Sequence, residues 1–303
     1  MKNLFIPIVI VFVLVAGFLF YKNKPSKVDQ TSRIAVTTSF YPLYFFASQI
    51  GGDKVSVVNI TPAGSEPHDY EPTTADIAKI QNSKLLILNG GVEAWGDKIK
   101  SNLGPTTTIV IAAEELLTQQ VEEDGQNVQD PHVWLDPILA KAEVEKISQA
   151  LVSIDSQDAS YYQKNTQDLE AKLDLLNTQY KQGLANCGRK DVITSHAAFG
   201  YLSSRYGLNQ VSIAGLSPDE EPSLKQLSAV SQFAKANNVK YIFFESLVSP
   251  KLSETIANEV GAKTLVLNPL EGLTDDETGQ GADYFSVMRQ NLENLKIALE
   301  CKT

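Results

Sequence analysis

The sequence has few cysteines and few histidines. Its two cysteines, Cys187 and Cys301, exclude both a disulfide-rich scaffold and a metal site made of thiolates. They can form one bridge in an oxidising compartment or remain two separate thiols. Only three histidines are present: His68, His132 and His196.

Positive charge is also scarce. The 303 residues include 26 basic and 36 acidic side chains, for a net charge of −10, and four of the lysines fall in the first 27 residues. The acidic remainder argues against a nucleic-acid partner and suits a cationic ligand, although an acidic surface that serves solubility explains the same charge. Hydrophobic residues make up 43% and charged residues 20%, a globular composition without low-complexity tracts or short-period repeats.

One long apolar run, Leu4–Phe20, would reach about 25 Å as a helix and so cross a bilayer core. Val15–Gly17 offers small residues to a signal peptidase, but Phe18–Tyr21 prolongs the apolar run beyond them. We therefore expect a retained membrane anchor rather than a cleaved signal segment over residues 1–21, followed by a polar tether at 22–32. The acidic body is expected outside the cytoplasm.

Strand-like and helix-like segments alternate in both halves of the chain. Four strands are predicted in the first half: Ile34–Thr38, Val55–Ile60, Lys84–Leu88 and Thr107–Ile111. Four more are predicted in the second half: Asp191–Thr194, Gln210–Ile213, Val239–Phe244 and Thr264–Leu267. The helices predicted around them are Leu43–Ile50, Thr74–Asn82, Val92–Lys100, Ala197–Tyr206, Ser223–Asn237 and Ser253–Val260. This alternation indicates βαβ units and one parallel sheet for each half.

Between the halves no strand pattern is visible. Pro137–Ile154 is predicted as one helix and Asp158–Leu184 as a longer one of about 40 Å, with apolar residues at helical spacing. The predicted fold is therefore α/β, with two lobes that each contain a parallel sheet flanked by helices, bridged by one long α-helix. The expected boundaries are 33–156 for the N-terminal lobe, 157–186 for the linking helix and 187–303 for the C-terminal lobe.

The three histidines occupy comparable places in this scheme. His68 lies beyond the carboxyl end of the second predicted strand, His132 in the connection after the fourth, and His196 directly after the fifth. A histidine taken alone is usually structural or exposed, but open parallel sheets bind ligands outside the carboxyl ends of their strands. If the two sheets face each other, the three imidazoles meet in one cleft.

Carboxylates stand at similar positions. Glu271 follows the last predicted strand, and three imidazoles with one carboxylate suit a tetrahedral Zn²⁺ site. Glu271 can instead be an ordinary solvated acid beside an acidic turn. Glu245 also ends a strand, but its apolar neighbours favour a buried supporting role over coordination.

Four acidic residues flank the first two histidines: Glu66, Asp69, Asp130 and Asp136. Each can orient an imidazole by accepting its second ring N–H, or can favour turn geometry beside proline. We expect the turn role for at least two of them.

Five motifs together resemble the metal-binding solute proteins that serve ABC transporters for zinc and manganese, the ZnuA/TroA-like family. The motifs are TTSFYP at Thr37–Pro42, PHDYEP at Pro67–Pro72, DPHVWLDP at Asp130–Pro137, TSHAAF at Thr194–Phe199 and YFSVM at Tyr284–Met288. The likeness covers about residues 33–300. It implies two α/β lobes bridged by one long helix, with metal ligands at His68, His132 and His196 and a carboxylate ligand at Glu271.

The resemblance also points to the metal. Manganese-type relatives carry Glu at the position of His196, and imidazole-rich sites hold Zn²⁺ better than Mn²⁺. Two departures stand out. Glu114–Asp130 has no histidine, where many zinc-type members carry a histidine-rich loop, and Phe18 follows Leu14–Gly17 where many relatives carry a lipid-bearing cysteine. We therefore expect a helix anchor rather than a lipid anchor.

The function that the resemblance implies is that of the extracytoplasmic substrate-binding component of a zinc ABC transporter. Such a protein passes one Zn²⁺, its transported ligand, to a membrane permease powered by an ATPase. We expect a monomer that is not an enzyme and binds no nucleic acid. A manganese-binding homologue is the alternative, and a zinc-dependent hydrolase is less favoured because a fourth carboxylate would close the site.

A location outside the cytoplasm also favours a disulfide over two separate thiols. We predict a disulfide between Cys187 and Cys301, which flank the second lobe. The bridge would pin the terminal helix, at about Ser286–Leu299, to the start of that lobe.

Overall fold

The computed structural model describes residues 33–123 and 125–302, and Ile34–Thr303 forms one compact unit of the chain. The predicted anchor at 1–21 and the tether at 22–32 lie outside the described residues. Within the described part of the chain, no helix has both the length and the apolar character needed to cross a bilayer.

The first lobe contains a parallel sheet with the strand order β2-β1-β3-β4. Its strands are β1 (Ile34–Thr38), β2 (Val55–Asn59), β3 (Leu85–Leu88) and β4 (Thr108–Ile111). In the pairing register, Ile34 lies opposite Val55, and Val36 lies opposite Leu85. All four residues of β3 are apolar and buried, as expected of a strand covered on both faces of a parallel sheet.

The second lobe repeats this topology with the strand order β8-β7-β9-β10. In each sheet the second strand along the chain is an edge strand next to the first. Its strands are β7 (Asp191–Thr194), β8 (Asn209–Ser212), β9 (Tyr241–Phe244) and β10 (Lys263–Val266). All pairings are parallel. The prediction of one parallel sheet for each half is therefore confirmed.

Helices flank both sheets. In the first lobe they are α1 (Tyr41–Gly51), α2 (Thr74–Gln81), α3 (Gly96–Asn102) and α4 (Pro137–Ile154), and the long α5 (Ala159–Gly183) follows. In the second lobe they are α6 (Gly200–Tyr206), α7 (Leu224–Ala236), α8 (Lys251–Val260), α9 (Asp275–Gly279) and α10 (Tyr284–Ala298). Gly207 and Gly261 end α6 and α8 with φ angles of 68° and 71°, a left-handed conformation that glycine adopts without steric cost.

Helix α5 bridges the lobes as predicted, a few residues shorter than the expected 157–186 range. Its 25 residues span about 37 Å at 1.5 Å per residue. The predicted apolar stripe is buried along its whole length, at Leu169, Leu173, Leu176 and Tyr180. The helix packs against α1 and α4 on the first-lobe side and against α10 on the second-lobe side.

One hydrophobic core runs through both lobes. Tyr284 at the start of α10 stacks on Phe45 of α1, with ring centroids 5.8 Å apart, and meets Phe46 edge-on at 5.0 Å. The Tyr180 hydroxyl of α5 donates to the Met288 carbonyl, at 2.7 Å. The lobes are therefore joined by packed aromatic side chains as well as by the bridging helix.

Two of the departures from the prediction lie in the first lobe. An antiparallel hairpin of β5 (Gln120–Glu123) and β6 (Gln126–Gln129) lies where no strand was predicted, because its residues are mostly polar and partly or fully exposed. Helix α3 begins at Gly96 rather than Val92. The Glu93 carboxylate accepts the backbone N–H groups of Asn89 and Gly90, which closes a loop ahead of the helix.

The predicted disulfide is confirmed, since Cys187 and Cys301 are bonded. Backbone hydrogen bonds accompany it: the Arg189 N–H donates to the Leu299 carbonyl at 3.1 Å. The end of α10 is thus attached to the chain just ahead of β7.

Candidate metal centre

The four predicted ligands lie where the strands of the two facing sheets end. His68 is in the loop between β2 and α2, and His132 immediately precedes the short 3-10 turn Val133–Leu135 that leads into α4. His196 comes two residues after β7, and Glu271 lies in the loop after β10. The structure brings all four together, as their positions at the strand ends predicted.

The donor atoms converge on one point. The Nε2 atom of His132 lies 3.3 Å from that of His68 and 3.4 Å from that of His196. The Oε1 atom of Glu271 lies 3.4 Å from the His68 Nε2 and 3.2 Å from those of His132 and His196. A tetrahedron of ligands about 2.0–2.1 Å from a central Zn²⁺ has edges of about 3.3–3.4 Å. Five of the six donor–donor distances are close to the edges of this tetrahedron, and all four donor atoms lie within 4.8 Å of one another.

The centre is shielded from solvent. His132 and His196 are fully buried, Glu271 is 1% exposed, and the side chain of His68 is 9% exposed. Burying a carboxylate and three imidazoles against one another costs free energy unless they are protonated or share a cation. The cluster is therefore suited to holding a positive charge.

Two imidazoles are oriented by carboxylates. The Nδ1 of His132 lies 2.7 Å from Oδ1 of Asp130, and the Nδ1 of His196 lies 2.7 Å from Oε1 of Glu245. An Nδ1–H that donates to a carboxylate leaves the Nε2 lone pair directed at the centre. Glu245 thus occupies the supporting place assigned to it from the sequence.

The other flanking acids have different contacts. The carboxylate of Glu66 accepts the backbone N–H of His68 at 3.0 Å rather than a ring N–H. Asp136 caps α4 by accepting from the Ile138 N–H and pairs with Arg205 at 2.7 Å. Of these four acidic residues, only Asp130 contacts a ring nitrogen of a histidine within the part of the chain that the structure describes.

The electrostatics follow from burial and from the neighbouring charges. Burial alone would raise the pKa of Glu271, but His196, His132 and His68 outweigh it and hold that pKa well below its usual value. Burial would lower the pKa of His196, but Glu245 and Glu271 raise it well above the usual range. The pKa of Glu66 is raised to about 10, chiefly by burial and then by Glu271. The neighbouring carboxylates therefore favour the positively charged forms of the buried imidazoles of His132 and His196.

The residues that hold the loop of Glu271 were not assigned a role from the sequence. Trp134 donates its Nε1–H to the Pro269 carbonyl at 2.8 Å, across the two lobes. Asn291 bonds to Asn268 in the same loop. Trp134 lies inside a motif that carried the family resemblance, but nothing in the sequence showed which carbonyl its indole reaches.

Fold and site together define a class: two-lobed α/β binding proteins with a candidate metal centre in the cleft. Within that class the chain belongs to the ZnuA family, described as the periplasmic component A of a zinc-uptake complex, because the model of this family matches residues 36–298. The family is one of extracytoplasmic solute-binding proteins and not of enzymes, so the hydrolase alternative is set aside.

Individual relatives agree with this assignment. The chain is 40% identical over 305 residues to the high-affinity zinc uptake system protein ZnuA of Bacillus subtilis, with 96% of each chain covered. It is 38% identical over 296 residues to the zinc-binding lipoprotein AdcA of Streptococcus pneumoniae; this match covers 93% of the chain but only 59% of that longer relative. The Zn(II)-bound ZnuA-like domain of S. pneumoniae AdcA superposes with a TM-score of 0.77 at 38% identity, covering 88% of this chain and 99% of that domain.

Proposed function

We propose that this chain is the extracytoplasmic substrate-binding component of a zinc ABC transporter. It binds one Zn²⁺ through His68, His132, His196 and Glu271 and delivers the ion to a membrane permease. The observation that carries the proposal is the convergence of four donor atoms in a buried cleft, all within 4.8 Å of one another and five of the six pairs 3.2–3.4 Å apart.

The donor set favours zinc over manganese. Three imidazole nitrogens and one carboxylate oxygen match the nitrogen-rich, tetrahedral preference of Zn²⁺, whereas Mn²⁺ prefers more oxygen donors and higher coordination. The names of the B. subtilis and S. pneumoniae relatives, which refer to zinc uptake and zinc binding, support the same choice.

Delivery requires a partner in the membrane. The family is described as part of an uptake complex, which supports a permease driven by an ATPase as that partner. We further propose that residues 1–21 anchor the chain and that residues 22–32 tether it. A tether of this length keeps the binding lobes at a high local concentration near the permease.

The transport role is tested by uptake of radioactive zinc in cells that lack this gene. Re-expression of the wild type is expected to restore uptake under zinc limitation. A variant with His68, His132 and His196 all replaced by Ala should be present at the same level and restore none. If deletion leaves zinc uptake unchanged, or if the triple variant restores it fully, the proposed function is wrong.

A further inference from the structure

The loop that carries Glu271 is not in a relaxed conformation. Leu270, the residue before Glu271, has a φ angle of 59°, in the left-handed region that bulky side chains rarely adopt. Its side chain is fully buried. Such a conformation persists only where the surrounding structure over-determines it.

Two asparagines hold this loop from within the second lobe. The Asn268 Oδ1 accepts the Leu270 N–H at 2.7 Å. Asn291 of α10 accepts the Asn268 N–H at 2.9 Å and donates to the Asn268 carbonyl at 2.7 Å. Both backbone groups of Asn268 are therefore fixed by one buried side chain, which limits how the chain can enter the turn at Leu270.

Trp134 holds the same loop from the first lobe. Its Nε1–H donates to the Pro269 carbonyl at 2.8 Å, two residues before Glu271. Its ring is fully buried and packs on the ring of His132, with centroids 5.1 Å apart. A single side chain thus contacts both the loop of Glu271 and the imidazole of a proposed ligand from the other lobe.

We propose that Trp134 and Asn291 are positioning residues for the fourth ligand. They hold Asn268–Leu270 in the conformation that directs the Oε1 of Glu271 toward the three imidazoles. The inference rests on the proposed function, because it requires Glu271 to bind the transported ion. Its specific consequence is that the contribution of Trp134 to zinc affinity is exerted through Glu271.

A double-mutant cycle tests this consequence. The probe is Zn²⁺ alone, titrated in competition with a chromophoric chelator into the wild type, Trp134→Phe, Glu271→Gln and the double variant. Each single change is expected to weaken zinc binding about tenfold, at the lower end of the effect of residues that orient ligands. The double variant should bind as tightly as Glu271→Gln, within about twofold, whereas two independent effects would multiply.

The matched control is Trp95→Phe, because Trp95 is the other tryptophan of the chain, is buried in the first lobe and lies in a separate hydrophobic cluster. Its zinc affinity should equal that of the wild type. If Trp134→Phe does not fold, Asn291→Ser replaces it in the same cycle with the same expected result.

The outcomes separate this inference from the proposed function. Full zinc affinity in Trp134→Phe, or losses of affinity that multiply in the double variant, would overturn the inference. Neither result would contradict the proposal that the protein binds zinc. Full affinity in Glu271→Gln would also overturn the inference, because the ionised carboxylate would then contribute nothing to zinc affinity. A wild type that binds no zinc would overturn both.

Discussion

Single residues of the metal centre differ in how they are supported and therefore in what their loss should cost. His132 and His196 are fully buried and each is oriented by a carboxylate, whereas the ring of His68 is the most exposed of the three. Glu271 is the single oxygen donor of the proposed site and lies in the loop that includes Leu270. The four side chains are therefore not equivalent.

We expect His196→Ala to weaken zinc binding more than Glu271→Ala. The first change removes an imidazole nitrogen and should cost at least about 10–100-fold, as changes around metal sites do. The second should be milder, because water can take the fourth position on zinc. Competitive titration measures both. Wild-type affinity in His196→Ala would show that the site is misassigned.

Replacing His196 by Glu tests the origin of selectivity. The variant would have two nitrogen and two carboxylate donors, and its preference should move toward Mn²⁺, a harder ion that favours oxygen. Parallel titrations of zinc and manganese into the wild type and His196→Glu measure the ratio of the two affinities. An unchanged ratio would mean that the third donor does not set the metal preference.

Glu143 on α4 is a buried acid outside the metal centre. It is fully buried, neither carboxylate oxygen has a hydrogen-bond partner among the described residues, and burial followed by the nearby Glu93 raises its pKa well above the usual value. The folded state therefore retains a proton that the unfolded chain releases above about pH 4.3. The buried Glu143 therefore makes the free energy of unfolding decrease as the pH rises above about 4.3.

We therefore expect Glu143→Gln to raise the unfolding temperature relative to the wild type by more at pH 8 than at pH 5. Thermal unfolding at both pH values measures the difference. The matched control is Glu145→Gln, an exposed position on the same helix, which should show little change with pH. An equal effect of Glu143→Gln at the two pH values would contradict the buried, protonated carboxyl.

At the scale of secondary-structure elements, burial decided what the sequence could predict. The β-branched and aliphatic runs of β1, β3 and β7 and the apolar stripe of α5 were identified because their residues face the core. The hairpin of β5 and β6 was missed because each strand has a single valine among polar residues. Its position depends on a tertiary contact, in which the Glu123 carboxylate accepts the backbone N–H of Leu216 in the other lobe.

The convergence of the four proposed ligands was predictable from the topology of the sheets. His68, His132, His196 and Glu271 follow strands of parallel sheets, and strand order alone places such residues at one edge. Which carboxylate orients which imidazole was less predictable, because Glu245 is 49 residues from His196 along the chain. The indole contact of Trp134 with Pro269 likewise depends on how the lobes pack.

The disulfide between Cys187 and Cys301 fixes the end of α10, and its removal should destabilise the fold. It closes a loop with a sequence separation of 114 residues, for which the chain-entropy model gives a contribution of about 4–5 kcal/mol. We expect the double variant Cys187→Ser/Cys301→Ser to unfold at a clearly lower temperature. Zinc affinity at low temperature should be retained, since neither cysteine is among the converging donors. An unchanged unfolding temperature would contradict this account of the bridge.

For the whole molecule, the shared core and the bridging helix suggest limited movement between the lobes. Tyr284 of α10 packs on Phe45 and Phe46 of α1, and its hydroxyl donates to the Trp134 carbonyl at 2.6 Å. Opening the cleft by a wide rotation would break these contacts. We therefore expect the zinc ion to enter and leave through movement of the loops that carry His68 and Glu271, rather than through a wide separation of the lobes.

The proposed tether makes a separate prediction for the whole chain in cells. The full-length protein should fractionate with membranes, whereas a version that lacks residues 1–32 and is exported by an unrelated signal peptide should be found in the soluble extracytoplasmic fraction. Both should bind one zinc ion. Recovery of the full-length chain entirely in the soluble fraction would contradict the proposed anchor.

The central claim is that one zinc ion is held between the lobes by three imidazoles and one carboxylate. Anomalous X-ray diffraction from crystals of the zinc-loaded protein, recorded on both sides of the zinc absorption edge, tests it most directly. The account predicts a single strong peak about 2.0–2.2 Å from Nε2 of His68, His132 and His196 and from Oε1 of Glu271. A zinc peak elsewhere in the molecule, or one that contacts fewer than all four of these side chains, would contradict it.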